Sequence, residues 1–236
     1  MNNAILNFEK SLILYKQIDN PNGINFSLSN LGALCAQAGN YSKAAEYYTE
    51  QVKFTNQDPS ALLQTLINIA VLHQKSGNHE ISKGNWMEAL KLSEQLNFDK
   101  YSIILLGISQ SLYKMGNLND AISYYTKLYD FSLQHSDNNN KLIALNNLAI
   151  IYTELGNNTK ALEYWEVTLG AAKPLNLFDI LKDSYLSLSN IFYNIGGFDS
   201  SAIYFDKYIS AVKQQSDPKE LADRKSTRLN SSHRIR

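Results

Sequence analysis

Five glycines set a register that few folds can satisfy. Gly39, Gly77, Gly116, Gly156 and Gly196 are separated by 38, 39, 40 and 40 residues. Asn follows the first four of them. Self-similarity at one near-constant period marks a stacked repeat, in which each unit buries its apolar face against the next. A Gly-Asn pair also ends a helix, because both residues tolerate the positive φ of a helix C-terminus.

The residues around each glycine repeat with it. Five positions after it stands a small residue, namely Ala44, Ser82, Ala121, Ala161 or Ser201, and Ala4 fits the series one period earlier. Four positions further stands an aromatic: Phe8, Tyr48, Trp86, Tyr125, Trp165 and Phe205. Residues i and i+4 share a helical face. The small residue admits a neighbouring helix and the aromatic fills the space beside it, which predicts a core position for both. Upstream of each glycine a second helix is written. Seven positions before stands Gly32, Ala70, Ser109, Ala149 or Ser189, and eight before stands Leu31, Ile69, Ile108, Leu148 or Leu188. Four before stands Cys35, His73, Leu112, Tyr152 or Phe192, and eleven before stands Leu28, Leu66, Leu105, Leu145 or Tyr185. That spacing is one face of an amphipathic helix.

Each unit is therefore helix A, a tight Gly-Asn turn, helix B and a polar connector. The pairs Asp58-Pro59 and Asp217-Pro218 read as helix starts, with Asp as cap and Pro in the first turn. Stretches such as LSNLGALCAQAGNYSKAAEYY and LNNLAIIYTELGNNTKALEYW resemble the tetratricopeptide repeat. The units are longer than the standard one of about 34 residues, and so resemble the long subclass of kinesin light chains, Pins-type polarity adaptors and bacterial sensor proteins. The resemblance implies an all-α, right-handed α-solenoid of stacked antiparallel helix pairs, about five and a half units. The division it implies is 1–20 as the second helix of a truncated repeat, then repeats at 21–60, 61–99, 100–139, 140–179 and 180–215. Residues 216–222 begin a further helix, and the native protein is expected to extend upstream.

The last segment breaks the pattern. Asp223 to His233 reads DRKSTRLNSSH, which matches the translation of a sequencing-library adapter at all eleven residues. Residues 223–236 are thus read as a non-native tail. The whole chain has 22 basic and 22 acidic residues. Without the five basic residues and one acidic residue of the tail, the net charge is −4. Neither value attracts nucleic acid.

No nucleophile elbow, P-loop, His-Glu-x-x-His, Cys-x-x-Cys or Gly-x-Gly-x-x-Gly is present. The four His lack ligand spacing and the single Cys35 excludes an internal disulfide. Cys35 holds a core position and reads as a buried inert thiol; His73 reads as a core or partly exposed histidine. We therefore expect no enzyme activity, no metal and no cofactor. The longest uncharged stretch, Asn20 to Ser42, is too rich in Asn, Ser and Gln to cross a membrane. A secretory leader is also lacking from the first residues, so a cytoplasmic location is expected.

The resemblance places ligands on the concave face lined by the A helices. Carried over one residue at a time, the position before the Leu-Gly pair is Asn30, Asn68, Gly107, Asn147 and Ser187. Gln110 and Asn190 extend this ladder, and Lys75, Lys114, Tyr113 and Tyr193 lie at the far end. An Asn amide both donates and accepts, so it can bridge a peptide backbone; alternatively it ties neighbouring helices together. The family's basic clamp for chaperone tails is missing, since Ser29, Ala33, Ile67, Val71, Leu106, Asn146 and Ile150 stand there. Ile67, Val71, Leu106, Ile150 and Leu186 make a mixed groove suited to an amphipathic helix or apolar peptide, or to an additional packed element. The resemblance thus implies a non-catalytic scaffold with a protein or peptide partner. The alternative is the sensory region of a larger signalling protein, such as a histidine kinase, a nucleotide cyclase or a peptide-responsive regulator.

Overall fold

The computed structural model describes residues 2–55, 58–96 and 101–216. Every long element among the described residues is a helix: α1 (Asn2–Gln17), α2 (Pro21–Gln37), α3 (Tyr41–Thr55), α4 (Pro59–Lys75), α5 (His79–Leu96), α6 (Tyr101–Lys114), α7 (Leu118–Gln134), α8 (Asn138–Glu154), α9 (Asn158–Ala172), α10 (Phe178–Asn194) and α11 (Phe198–Ser216). No strand occurs among them. The all-α solenoid class follows, as consecutive antiparallel helices pack in pairs. Among the described residues no helix is long and apolar enough to cross a membrane. Asp217-Pro218 and the tail 223–236 lie outside the described residues.

The turns show why Gly and Asn alternate in the sequence. Gly39 and Gly156 have φ of 77° and 68°, a left-handed conformation that costs any residue with a Cβ about 1–2 kcal/mol. With Gly39 so placed, its N–H donates to the Ala36 carbonyl at 3.1 Å and the Asn40 N–H to the Cys35 carbonyl at 2.9 Å, closing the last turn of α2. The Asn does a different job from the one its φ tolerance predicted. Among the described non-glycine residues only Asp19, Ser136 and Asn176 have positive φ. Asn40 and Asn157 instead cap the next helix, their Oδ1 accepting from the Lys43 and Lys160 N–H at 3.3 and 3.2 Å. One residue stops a helix and the next starts another. The connectors are capped likewise: Asp58 accepts from the Ser60 and Ala61 N–H groups at 3.0 and 3.1 Å, with Pro59 beginning α4.

The chain divides into two compact units, Met1–Ser132 and Leu133–Arg236. In the first, Leu12, Ile24, Leu28 and Leu31 form one buried cluster and Cys35, Ala44, Ala45, Tyr48, Ile69 and Leu72 another. In the second, Leu148, Ala149, Ala161 and Trp165 are buried at the matching positions. A fully buried Leu contributes about 1.5–3 kcal/mol over an exposed one. The small residues make the A and B helices of a pair meet closely. In the second repeat the Ser82 hydroxyl donates to the Ala70 carbonyl at 2.8 Å. The aromatic series stays in the core from Tyr48 to Trp165, but Phe205 is 47% exposed. No described element covers that face of α11, which a periodic pattern cannot reveal.

An ion pair fastens the first helices. Lys43 Nζ donates to Glu9 Oε1 at 2.9 Å and the Tyr47 hydroxyl donates to the same oxygen at 3.0 Å. The hydrogen bond from Lys43, then that from Tyr47, hold the Glu9 carboxyl below the usual glutamate range.

Candidate functional site

Helices α4 and α6 are the A helices of consecutive repeats, and they touch within the first unit. Between them opens a groove of about 310 Å³. Val71, Gln74 and Lys75 line it from α4, Ile103, Leu106, Gly107 and Gln110 from α6, and Trp86 from α5. Gly107 builds this groove. Other repeats carry Asn or Ser at its position. Here a Cβ would run into the Trp86 indole, so only glycine lets the α6 backbone lie against the ring.

The polar groups of the groove are two amides, one amine and one indole. Gln74 Nε2 donates to Gln110 Oε1 at 2.6 Å, which ties α4 to α6. Lys75 is exposed, with its ammonium 5.4 Å from the Tyr41 ring centroid. Among the described residues it has no carboxylate partner. Trp86 is 1% exposed, and its Nε1 has no hydrogen-bond partner among the described residues. Trp165 holds the same repeat position and is equally buried. Its Nε1 donates to Thr153 Oγ1 at 2.9 Å. Thr153 and Gln74 both stand three residues before their turn glycine.

The structure brings Lys75 and Gln110 into one groove, together with the apolar Val71 and Leu106. Gln74, Ile103 and Trp86 complete the lining without having been singled out for it. Ile67 is buried at 7% exposure and faces the core, unlike its expected groove companions. Among the described residues, the side chains of Asn30, Asn68 and Asn147 bond within their own helices. Asn30 Nδ2 donates to the Phe26 carbonyl and Asn147 Nδ2 to the Ile143 carbonyl, both at 2.8 Å and both within their own helix. Asn68 Oδ1 accepts from Gln64 Nε2 at 3.1 Å, again within α4. Asn190 is exposed on α10, in the second unit. Lys114 is exposed with its ammonium 5.7 Å from the ring centroid of the half-buried Tyr113.

The reactive side chains are quiet. Cys35 is 3% exposed, and burial pushes its thiol up, away from the thiolate. Burial pushes the His73 pKa down and favours the neutral ring. No cluster of three His, Cys, Asp or Glu able to hold a metal occurs among the described residues. A second groove of about 550 Å³ runs between His73 and the α3 residues Ser42, Ala45, Glu46, Thr49, Glu50 and Lys53. Its Glu50 is engaged by Lys16 at 2.7 Å.

Comparisons with known proteins agree with this architecture. Two tetratricopeptide-repeat family models match, one at residues 100–173 and one at residues 27–60. Response regulator aspartate phosphatase A of Bacillus subtilis (strain 168) is 25% identical over 179 residues, 75% of this chain and 46% of that protein. The chain therefore spans just under half the length of this curated relative. Among solved structures, BtubC (BKLC) from P. vanneervenii superposes with a TM-score of 0.70 at 17% identity, over 91% of each chain. A Rap protein complexed with competence and sporulation factor superposes with a TM-score of 0.59 at 15% identity, over 93% of this chain and 67% of that one. At these identities the superpositions speak for the fold alone. With the repeat signature, the helix pairs and the family matches in agreement, the chain is a tetratricopeptide-repeat protein.

Proposed function

We propose that this chain is a non-catalytic interaction scaffold that binds a peptide or helix on the face of its A helices. The observation that carries the reading is the groove between α4 and α6. Its wall is aliphatic, from Val71, Ile103 and Leu106, and its polar groups are the Gln74–Gln110 pair and Lys75. Apolar lining with a few placed polar groups is the usual make-up of a recognition groove. Gln110, Lys75, Asn68, Asn30, Tyr113 and Lys114 are the contacts proposed for the first unit, and Asn147 and Asn190 for the second. Asn30 and Asn147 each spend one amide hydrogen on their own helix, which leaves the side-chain oxygen as an acceptor for a ligand.

A second reading has its own support. The likeness to a response regulator aspartate phosphatase, over 46% of that protein, favours a role as the repeat region of a larger regulator. The two readings share the groove and differ in what it controls.

Selection of a random peptide library on the immobilised chain tests the first reading. Selected peptides should bind the wild type and lose roughly tenfold or more in affinity to Leu106→Asp, as expected when a charge enters an apolar contact. Helicity should be unchanged, because Leu106 is only half-buried. Peptides that bind both chains equally would place the ligand elsewhere.

A further inference from the structure

Trp86 borders the groove with its indole N–H unpartnered among the described residues, and Gln74 stands at the repeat position that partners the other tryptophan. A buried indole N–H with no partner is rare in a folded protein and calls for a cause. In the other tryptophan repeat the cause is met, since Thr153 accepts the Trp165 N–H. In this repeat the residue at the Thr153 position is Gln74, whose amide is turned across the groove to Gln110. Gln74 thus lines the groove between two groups it could serve, Gln110 through its Nε2 and Trp86 through its Oε1. It serves Gln110, and Trp86 goes without.

We propose that the α4–α6 groove is an anchor pocket for an extended peptide that presents an aliphatic side chain followed by a carboxylate, and that Gln74 changes partner when it binds. This rests on the groove reading above. The aliphatic side chain seats on Val71, Ile103 and Leu106, in the groove that these residues line beside the buried Trp86 ring. Lys75 is the one charged residue of the lining and carries no carboxylate partner among the described residues, so it receives the anion. The Gln110 amide pairs with the peptide main chain, donating to a carbonyl and accepting an N–H. Gln74 is released by that exchange, and its Oε1 accepts the Trp86 N–H, as Thr153 does for Trp165. The bound state then gives the Trp86 N–H an acceptor, and ligands that cannot displace Gln74 forgo that gain.

The readout is the indole N–H itself. The chain has two Trp, so ¹⁵N-labelled full-length protein gives two indole cross-peaks, assigned by Trp165→Phe. The probes are three capped dipeptides: N-acetyl-Leu-Asp-amide, N-acetyl-Gly-Asp-amide and N-acetyl-Leu-Lys-amide. Leu-Asp should move the Trp86 resonance downfield, saturably, and leave Trp165 in place. Gly-Asp and Leu-Lys should bind roughly tenfold more weakly, the discrimination that one side chain carries in such a pocket. Gln110→Ala should move the Trp86 resonance downfield with no probe present, because it frees Gln74. Gln74→Ala should abolish the downfield shift while Leu-Asp still binds, as read from Trp86 fluorescence in Trp165→Phe.

An unmoved Trp86 at the solubility limit of Leu-Asp, equal response to Gly-Asp, or a downfield shift that survives Gln74→Ala overturns the proposal. Library peptides that bind while Trp86 stays unmoved overturn the pocket and leave the scaffold reading standing. A chain that selects no library peptide and gives no Leu-Asp response overturns both the pocket and the scaffold reading.

Discussion

The Ser189 hydroxyl donates to the Ser201 carbonyl at 3.0 Å, and the two side-chain oxygens lie 3.2 Å apart. Ser189 stands seven residues before a turn glycine and Ser201 five after it. The same two positions meet in the second repeat as Ala70 and Ser82. At these positions a small, buried residue of helix A faces one of helix B. Ala121 is the third repeat's version and is fully buried. Ala121→Leu should therefore destabilise by about 1–3 kcal/mol, the cost of overpacking. It should appear as a lower urea midpoint at unchanged slope.

Gly107 and Trp86 should behave as one unit. Gly107→Ala forces a methyl into the indole and should cost about 1–3 kcal/mol. Trp86→Leu removes the obstacle, so the added cost of Gly107→Ala in that background should fall below about 1 kcal/mol. A double-mutant cycle by urea denaturation measures the coupling; additive costs would mean that the ring simply moves aside.

The Asn residues separate stability from binding. Among the described residues, Asn30 and Asn147 bond through their side chains to carbonyls of their own helices, which an α-helix does not need for its own ladder. Replacing Asn68 and Asn147 by Ala should change stability by less than about 0.5 kcal/mol, while affinity for selected peptides falls. Thermal melts and fluorescence anisotropy decide it. A lowered melting temperature with unchanged affinity would make these residues structural.

Glu9 gives the pH dependence a definite sign. Its folded pKa lies below the ordinary value because Lys43 and Tyr47 hydrogen-bond to the ionised form. That contribution is present above the ordinary glutamate pKa and is lost as pH falls through the depressed folded one. The wild type should exceed Glu9→Gln in urea midpoint near neutrality, and the two should converge in acid. The gap should be small and salt-sensitive, because both partners are partly exposed.

Much of the fold was legible because its signals are periodic. The turn glycines, the close crossing at Ala70 and Ser82, and the buried Trp86 and Trp165 all recur with the repeat. The groove was legible only in part. Lys75 and Gln110 were found through the resemblance, but Gln74 sits at a position occupied by Ala36, Tyr113, Thr153 and Tyr193 in other units, which share no chemistry. Its partner lies 36 residues away on another helix, and such a pairing leaves no mark in a period. The turn Asn residues were misread for a related reason. Asn suits both a left-handed turn and a helix cap, and only the backbone angles distinguish the two.

Each compact unit holds one buried tryptophan, Trp86 in Met1–Ser132 and Trp165 in Leu133–Arg236. Nature has thus supplied every half of the chain with its own optical label. Single-tryptophan variants would report denaturation of the two halves separately, without dyes or added tags. Coincident transitions would describe one cooperative melting event; staggered ones would show that repeat arrays of this length can unzip in stages.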